Sequence, residues 1–388
     1  MITVEEALAL VDAHASLSAK EIQNVGVDLE GRVLAEPVLA HADFPSFRQS
    51  SMDGYALCGF SKNYCYPIIG EVAAGSLEQF HVGPGEAVRI FTGARVPDAC
   101  DRVIMQEKVD LSGDQIRIQE EPSLGQNIRQ VGSQIKSRQQ VLSEKSTLTP
   151  ASLGLLASLG IQEVSVLALP RIYIVVTGNE LVQLGSMKND VQIYESNSLS
   201  LQAALRREGF AVSAISFASD DPSETVERLS EALSDADLVL ISGGISVGDY
   251  DFVAQALSRI GVETIFYTVR QKPGKPLFFG KKGNKAVFAL PGNPASTLSC
   301  FYVYVLRWLR LSQGLTISKN YKRLALPIEN RFRRALFVKA SVKADEVLPI
   351  DEFNSATLLS FSKSDALIYV PADCAMLAAG SIVEIIDL

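Results

Sequence analysis

The chain has 388 residues, 47% of them hydrophobic and 21% charged, and it carries a net charge of −8; this length predicts two to four domains. The net negative charge argues against a nucleic-acid partner. The sequence shows no signal peptide and no apolar run of about 20 residues, which argues against a membrane partner and for a cytoplasmic location. Five scattered cysteines and three histidines lack ligand-like spacing, which argues against a zinc site, a disulfide framework and a serine–histidine triad.

The N-terminal part of the chain predicts a helix and then a mostly β region. Thr3-Val4-Glu5-Glu6 is a capping-box pattern, and the apolar spacing behind it predicts an amphipathic helix to about His14. Residues 41–138 are rich in glycine, proline and short β-like runs, which is typical of an irregular, mostly β domain. Thr149-Pro150 is expected to begin a short linking helix.

Three polar positions in the mostly β region are candidate site residues. Asp53 stands in the polar loop of Ser50–Ala56, where an oriented carboxylate and an ordinary Asp-Gly hairpin turn are equally good interpretations. Thr92 follows a predicted strand, a place where a threonine is more often a plain turn residue. Arg129 stands on a predicted loop and suits a phosphate or oxyanion, although most loop arginines are simply solvated.

Residues 170–312 alternate between strand and helix patterns, which indicates a doubly wound α/β domain with its ligands at the carboxyl ends of the strands. Glu180, Glu195 and Asp237 stand at strand ends or loop entries there. Each of them alone would be an ordinary surface carboxylate or helix-start charge. Residues 321–388 show only strand signals, which predicts a small β-barrel or sandwich.

The segment 237–251 is the most informative part of the α/β pattern. A buried strand ends at Ser242, a helix begins at Tyr250, and a glycine-rich turn joins them. Such a turn exposes backbone N–H groups to an anion. The turn also carries Asp249 and Asp251, which would repel a bare phosphate unless a divalent metal bridges the two. The residues therefore predict that acidic side chains and glycine amides converge on one cation in a cleft.

Two further loops of the α/β region suit anions. Lys272-Pro273-Gly274-Lys275-Pro276 is stiffened by two prolines, and its two ammonium groups could embrace a pyrophosphate or a molybdate-like anion; a charged hairpin approach is the alternative. Pro291–Pro294 precedes a long helix whose N-terminus is an anion site as well as an ordinary capped end. We expect the side chains of Asn197 and Asn293 to cap the helices that they precede.

Taken together, these motifs resemble one family. The chain resembles the molybdopterin molybdenumtransferases, the MoeA-type molybdenum insertases related to the E domain of gephyrin, over essentially its whole length. Six segments carry the resemblance, in this order: Ser50–Ala56, Phe91–Ala94, Thr177–Leu181, Ser242–Gly248, Lys272–Pro276 and Pro291–Pro294.

The resemblance implies a multidomain α/β plus β fold. It comprises a MogA/MoaB-like doubly wound α/β domain, an elongated, mostly β N-terminal region and a small C-terminal β-barrel. The implied domains are a linker domain of residues 1–40 and 139–169, the mostly β domain of residues 41–138, a molybdopterin-binding α/β domain of residues 170–320 and the barrel of residues 321–388.

The resemblance also implies an enzyme of molybdenum cofactor biosynthesis. In a Mg²⁺-dependent reaction, molybdenum from molybdate would be inserted into adenylylated molybdopterin, with release of AMP. The implied enzyme is a homodimer whose active site lies between the α/β domain of one subunit and the 41–138 domain of the other. A MogA-like protein would deliver the adenylylated pterin.

Site residues follow from the matching motif positions. The implied catalytic residues are Asp53, Thr92, Glu180, Asp237 and Asp251, of which Asp237, Asp251 and Glu180 would hold Mg²⁺. The implied substrate- and phosphate-binding residues are Arg129, Gly243, Gly244, Ser246, Gly248, Lys272, Lys275, Pro291, Asn293 and Ser355.

Three positions depart from the family pattern. Gly132-Ser133-Gln134-Ile135 stands where the family has Gly-Glu-Asp-Ile, Asn179 replaces an aspartate, and Thr268 replaces a lysine. Because most of the acidic motif positions are retained, we expect an active enzyme. The alternatives are a molybdopterin adenylyltransferase, suggested by the α/β part alone, and a catalytically weak scaffold protein.

Overall fold

The computed structural model describes residues 1–78, 80–245, 252–350 and 357–388. It divides into two compact units, one formed by Met1–Glu21 with Leu167–Leu388 and the other by Ile22–Val166. This division is coarser than the four domains implied above, whose boundaries stay a prediction. Within the described ranges, no helix has both the length and the apolar character that a membrane span requires.

A six-stranded sheet forms the centre of the first unit. Its spatial order is β2-β1-β3-β6-β5-β4; β1, β2, β3 and β6 run parallel, and β5 is antiparallel to both β4 and β6. The β5–β6 hairpin turns between Lys282 and Lys285, at Gly283-Asn284. The strands are β1 (Ile172–Thr177), β2 (Val212–Ala218), β3 (Leu238–Ser242), β4 (Glu263–Thr268), β5 (Pro276–Lys282) and β6 (Lys285–Leu290).

Helices cover the sheet on two sides because the strands are apolar on both faces: every residue of β1 and β3 is buried. Two separate apolar clusters form the layers, one containing Ile174 and Leu240 and the other Val175 and Ile241. The doubly wound prediction is therefore confirmed. The helices of the unit are Val4–Ala13, Asn197–Arg207, Pro222–Asp235, Phe252–Arg259, Pro294–Cys300 and Leu306–Ser312, with Phe301–Val305 as a π-helical turn between the last two and Leu358–Phe361 as a short helix near the C-terminus.

Local capping signals explain several helix starts. Thr3 and Glu6 form the predicted capping box of the first helix. The Asp221 carboxylate accepts from the backbone N–H groups of Ser223 and Glu224. The expectation for Asn197 is wrong, because Ser196 is the cap position and Asn197 lies inside the helix with its side chain directed elsewhere.

Strands β1 and β3 are neighbours although the chain visits β2 between them. The connection after β1 runs to β2 on one side and the connection after β3 runs to β4 on the other, which opens a crevice at the carboxyl ends of β1 and β3. The sheet order alone thus marks this edge as the place for a ligand.

The C-terminal part of the first unit is a closed five-stranded barrel, as predicted. Each strand pairs with two others, so the ring has no free edge. A short strand, Gln271–Lys272, adds in parallel beside Ala335 and Leu336. The barrel strands are Asn320–Leu324, Ala335–Lys343, Glu346–Pro349, Ala366–Val370 and Ile382–Asp387.

The second unit is rich in short strands, in agreement with the predicted irregular β region. Its one α-helix within the described residues is Pro150–Ser158, which Thr149 caps. Two-stranded pairs surround the main sheet, among them Gln49–Ser50 with Ile128–Arg129. The main sheet contains, in spatial order, Arg102–Met105, Gly54–Leu57, Ala87–Ile90, Cys65–Val72, Gln115–Ile118 and Val109–Ser112.

Candidate active site

A tight glycine turn lies at the carboxyl ends of β1 and β3. Gly243 and Gly244 have φ values of +90° and +66°. A Cβ atom on Gly243 would lie 2.5 Å from the backbone oxygen of Thr177, and one on Gly244 would lie 2.5 Å from the Thr177 hydroxyl. Only glycine allows this backbone to approach β1 so closely. The predicted turn is therefore placed at the crevice that the sheet order marks.

Asn197 connects this turn to the loop after β6. Its side-chain nitrogen donates to the Ser242 hydroxyl and to the Gly292 carbonyl oxygen, both at 2.8 Å. Asn197 is only 8% exposed. Its Oδ1 atom, like the Thr177 hydroxyl, is buried without a hydrogen-bond partner in the described part of the chain. The residue positions the glycine turn and the loop after β6 relative to each other, a role that its place at a helix start did not reveal.

The loops after β1 and β2 meet beside the glycine turn. The backbone N–H of Asn179 donates to the Asp220 carboxylate at 3.2 Å, and the backbone N–H of Asp220 donates to the Asn179 side-chain oxygen at 3.1 Å. Asp220, Thr177 and Gly244 share the lining of a cavity of about 300 Å³. Sequence reasoning missed Asp220, which stands directly before Asp221, the cap of the next helix.

Glu180 belongs to the same edge, because it follows β1 by three residues and its carboxylate folds back over Gly178. It is exposed. Glu180 and Asp220 are thus the carboxylates that the described loops bring to the carboxyl ends of β1 and β2.

Asp237 lies at the opposite edge of the sheet. It precedes β3, and its carboxylate accepts from the backbone N–H of Arg171 at 2.9 Å and lies 3.5 Å from the Arg171 guanidinium. At about 3.3 Å per residue, the strand separates Asp237 from Gly243 by about 20 Å. The predicted convergence of Asp237 with the glycine turn and Glu180 is therefore wrong. Asp237 precedes β3 in the sequence, and the parallel pairing of β3 with β1 places the start of β3 at the edge away from the glycine turn.

Four of the implied site residues lie outside the described residues. They are Ser246, Gly248, Asp251 and Ser355.

The Lys272–Pro276 loop is anchored in the apolar core by Gln271, which is 1% exposed. The Gln271 amide nitrogen donates to the Gly274 carbonyl oxygen at 2.9 Å, and its oxygen accepts from the Tyr304 hydroxyl. A Cβ on Gly274 would lie 2.4 Å from the Cys300 sulfur, so the loop leaves no room there. The backbone that carries the two lysines is thus held firmly.

Lys272 lies among aromatic and cationic groups. Its ammonium nitrogen is 3.5 Å from the centre of the Phe332 ring. Burial and the nearby Arg334 guanidinium lower the pKa of Lys272 below its ordinary value. Sequence reasoning missed Arg334, although the arginine-rich run 331–334 directly before a barrel strand was a visible signal.

The Pro291–Asn293 loop lies next to the glycine turn, with a Cβ on Gly292 placed 3.7 Å from the Gly243 Cα. Asn293 occupies the cap position of the next helix, but its side chain makes no capping hydrogen bond. Its backbone oxygen accepts from Thr297 instead. The structure therefore brings Pro291 and Asn293 to the glycine turn while correcting how the helix begins.

In the second unit, two separate sequence motifs come together. The backbone N–H and the hydroxyl of Thr92 donate to one oxygen of Asp53, at 2.7 and 2.8 Å. These two bonds, with a smaller contribution from the Arg89 charge, hold the pKa of Asp53 below its ordinary value. Arg129 is opposite Gln49 in the strand pair beside this loop. The structure thus presents an ionised carboxylate held by a threonine.

Arg89 supports the same loop and was missed from the sequence. Its guanidinium donates to the Gly54 carbonyl oxygen at 3.4 Å and lies over the rings of Tyr55 and Phe91, at 4.9 and 5.1 Å from their centres. Gly54 itself is required by packing, because a Cβ there would lie 1.9 Å from the Ile104 oxygen.

The three positions that depart from the family pattern lie in different local surroundings. Asn179 makes the reciprocal bonds with Asp220 described above. Thr268 ends β4 opposite Pro276, beside the lysine loop. Gln134 donates its backbone N–H to the Phe44 oxygen.

Three family models match consecutive parts of the chain. They are the MoeA N-terminal region (domain I and II) over residues 2–160, the "Probable molybdopterin binding domain" over residues 173–311, and the MoeA C-terminal region (domain IV) over residues 323–388.

Individual proteins agree with these models. The chain is 39% identical to the molybdopterin molybdenumtransferase of Haemophilus influenzae over 73% of its own length and 70% of that protein. It is 32% identical to molybdopterin molybdenumtransferase 2 of Mycobacterium tuberculosis over 92% and 93% of the two chains. The crystal structure of the molybdopterin biosynthesis MoeA protein from Pyrococcus horikoshii OT3 superposes with a TM-score of 0.82 at 29% identity, covering all of both chains. The chain belongs to the MoeA family of molybdopterin molybdenumtransferases.

Proposed function

We propose that this chain transfers molybdenum from molybdate to adenylylated molybdopterin, with release of AMP. The observation that carries the proposal is the Gly243–Gly244 turn, packed against Thr177 at the crevice of the molybdopterin-binding domain. Relatives that align with nearly the whole chain are named molybdopterin molybdenumtransferase, which supports molybdenum insertion as the reaction.

The residues of the first unit suit the charges of both substrates. The backbone of the glycine turn is built for a phosphate, and Asn197 holds the turn beside the Pro291–Asn293 loop. Lys272 and Arg334 present two positive charges on a rigid backbone, as a tetrahedral oxyanion requires. The proposal assigns pterin phosphate to the turn and molybdate to the cationic pair.

Magnesium is part of the proposal, and the donor atoms fit it. Among the described residues no three His, Cys, Asp or Glu side chains could enclose a metal by themselves. Mg²⁺ does not need such a cage, because it is usually held by one or two carboxylates together with substrate phosphates. Glu180 and Asp220 would supply these carboxylates. When bound, the ion would neutralise the charge of the pyrophosphate link.

The homodimer is also proposed, together with an active site shared between subunits. Asp53 is held ionised by Thr92, which prepares it as a catalytic group contributed by the second unit of the partner subunit. We further propose a cytoplasmic protein that receives its pterin from a MogA-like partner. The five cysteines, all free thiols, are consistent with a reducing compartment.

One assay distinguishes the proposed reaction from its alternative. The protein is supplied either with adenylylated molybdopterin, molybdate and Mg²⁺, or with molybdopterin, ATP and Mg²⁺. AMP release and pterin-bound molybdenum are measured in the first mixture, and pyrophosphate release is measured in the second. We expect turnover only in the first mixture. Turnover only in the second would identify an adenylyltransferase and refute the proposal, and turnover in neither would favour the scaffold alternative.

Mixed dimers test the shared site. Asp53→Asn and Asp220→Asn variants are unfolded and refolded together and assayed at a Mg²⁺ concentration low enough that each variant is inactive alone. If each site takes one residue from each subunit, the mixture regains about a quarter of the wild-type activity, because half of the dimers are mixed and each has one intact site. No recovery, with mixed dimers verified by mass spectrometry, contradicts the shared site.

A further inference from the structure

The hydroxyl of Thr177 is a buried polar group without a hydrogen-bond partner among the described residues. Thr177 ends β1 and is 4% exposed. No hydrogen bond from the described chain reaches its hydroxyl oxygen, although that oxygen is buried. Because nearly all buried polar groups in proteins are hydrogen-bonded, such an exception points to a partner that binds from outside the chain.

The hydroxyl faces the glycine turn. A Cβ atom on Gly244 would lie 2.5 Å from the hydroxyl oxygen, and one on Gly243 would lie 3.2 Å from it. Thr177 also lines the cavity of about 300 Å³ that Asp220 and Gly244 share. The hydroxyl therefore lies against the backbone of the turn, at a cavity large enough for a group the size of a phosphate.

Two neighbouring hydroxyls show the ordinary arrangement. Thr225 lines the same cavity, but its hydroxyl donates to the Asp221 carbonyl oxygen at 2.8 Å, at the start of its own helix. The Ser242 hydroxyl, at the end of β3, accepts from the Asn197 amide. The fold thus supplies partners for both of these hydroxyls and leaves the hydroxyl of Thr177 for a ligand.

The chemistry of the turn indicates which group of a ligand is bound. A threonine hydroxyl can rotate to donate to a negatively charged oxygen, which gives a strong hydrogen bond. The backbone N–H groups of such a glycine turn also suit an anion. Because a phosphate has several acceptor oxygens, one phosphate could accept from the turn and from the hydroxyl at the same time. An apolar group would leave both donors unpaired.

We propose that the Thr177 hydroxyl binds substrate by donating a hydrogen bond to the pterin phosphate at the glycine turn. This inference rests on the proposed function, which assigns that phosphate to the turn. It adds a side-chain donor to a phosphate site that otherwise consists of backbone groups.

Thr177→Val tests the inference, because it replaces the hydroxyl with a methyl group and keeps the branched shape of the side chain. Calorimetric titration of the full-length protein with adenylylated molybdopterin, in the absence of molybdate, measures the affinity. We expect the affinity to fall about 10- to 100-fold, as loss of a hydrogen bond to a charged group implies. Thr177→Ser retains the hydroxyl and should bind the substrate nearly as well as the wild type.

Ser216→Ala is the matched control. The Ser216 hydroxyl is also buried without a partner in the described part of the chain. It lies within β2, opposite Val175, and Ser216 is not among the described residues that line the cavity. Its removal should leave the affinity for adenylylated molybdopterin unchanged.

Two further measurements separate substrate binding from a structural role. In urea unfolding without ligand, Thr177→Val should be at least as stable as the wild type, whereas Thr225→Val loses the bond to Asp221 and should be less stable. In phosphorus NMR at saturating substrate, the resonance of the pterin-linked phosphate should differ between the wild type and Thr177→Val. The same resonance should agree between the wild type and Ser216→Ala.

The outcomes are distinct. Equal substrate affinities of the wild type and Thr177→Val, or an equal loss of affinity in Ser216→Ala, would overturn the inference while leaving the proposed function intact. A loss of stability in Thr177→Val as large as that in Thr225→Val, or an unchanged phosphate resonance, would also overturn it. Failure of the wild type to bind adenylylated molybdopterin would refute both.

Discussion

Asn197→Ala gives the sharpest test of how the candidate site is held together. The substitution removes both bonds from the Asn197 amide, to the Ser242 hydroxyl and to the Gly292 carbonyl oxygen. Each bond contributes about 1 kcal/mol net and a buried acceptor left unpaired costs about 1–3 kcal/mol, so we expect a loss of about 2–4 kcal/mol of unfolding free energy. Helix propensity does not offset this, because the residue is in the first turn.

Urea unfolding measures the stability change, and the KM for adenylylated molybdopterin measures the effect on the site. We expect both to change, because the two turns lose their common partner. Ser200→Ala is the matched control. Among the described residues its hydroxyl donates to the Ser196 carbonyl oxygen at the start of the same helix, so the substitution should cost about 1 kcal/mol or less. If Asn197→Ala were no more destabilising than Ser200→Ala, the positioning role would be refuted.

Three other predictions concern individual side chains. Thr92→Val removes one of the two hydrogen bonds that lower the pKa of Asp53. The pKa of Asp53 should therefore rise, and the acid limb of the pH–activity profile should move to higher pH. An unchanged Asp53 titration by NMR would contradict this. Asp220→Asn should raise the Mg²⁺ concentration needed for half-maximal AMP release at least tenfold. Asp237→Asn loses only a surface ion pair worth about 0–1 kcal/mol and should leave that concentration unchanged. The reverse order would contradict the assignment of Asp220 to the Mg²⁺ site. Gly243→Ala should abolish substrate binding in an otherwise folded protein, because its methyl group would lie 2.5 Å from the Thr177 backbone oxygen and displace the turn. Wild-type affinity in a pull-down with adenylylated molybdopterin would show that the turn is not the binding site.

Much of the fold could be predicted from the sequence because its signals are local. The capping box at Thr3, the cap at Asp221 and the hairpin after Lys282 each depend on residues within a few positions of one another. The alternation of apolar strands and helices likewise needs no long-range information. Motif resemblance then indicated the family, which the comparisons confirm.

Residues brought together from distant parts of the chain could not be predicted in the same way. Asp53 meets Thr92 across 39 positions, and Lys272 meets Phe332 through the register of a strand on the barrel. The Asn197 amide looked like a helix cap until the loops around it were placed.

The sequence by itself determined that this is an α/β protein, and it predicted a glycine turn for a phosphate and lysines for an anion, because residue type sets backbone preference and charge. Only the tertiary structure decided which carboxylate accompanies that turn. Asp237 precedes β3 and Asp220 follows β2, and the parallel pairing of both strands with β1 decides which of these strand ends share an edge. That pairing places Asp220 at the edge of the glycine turn and Asp237 at the opposite edge.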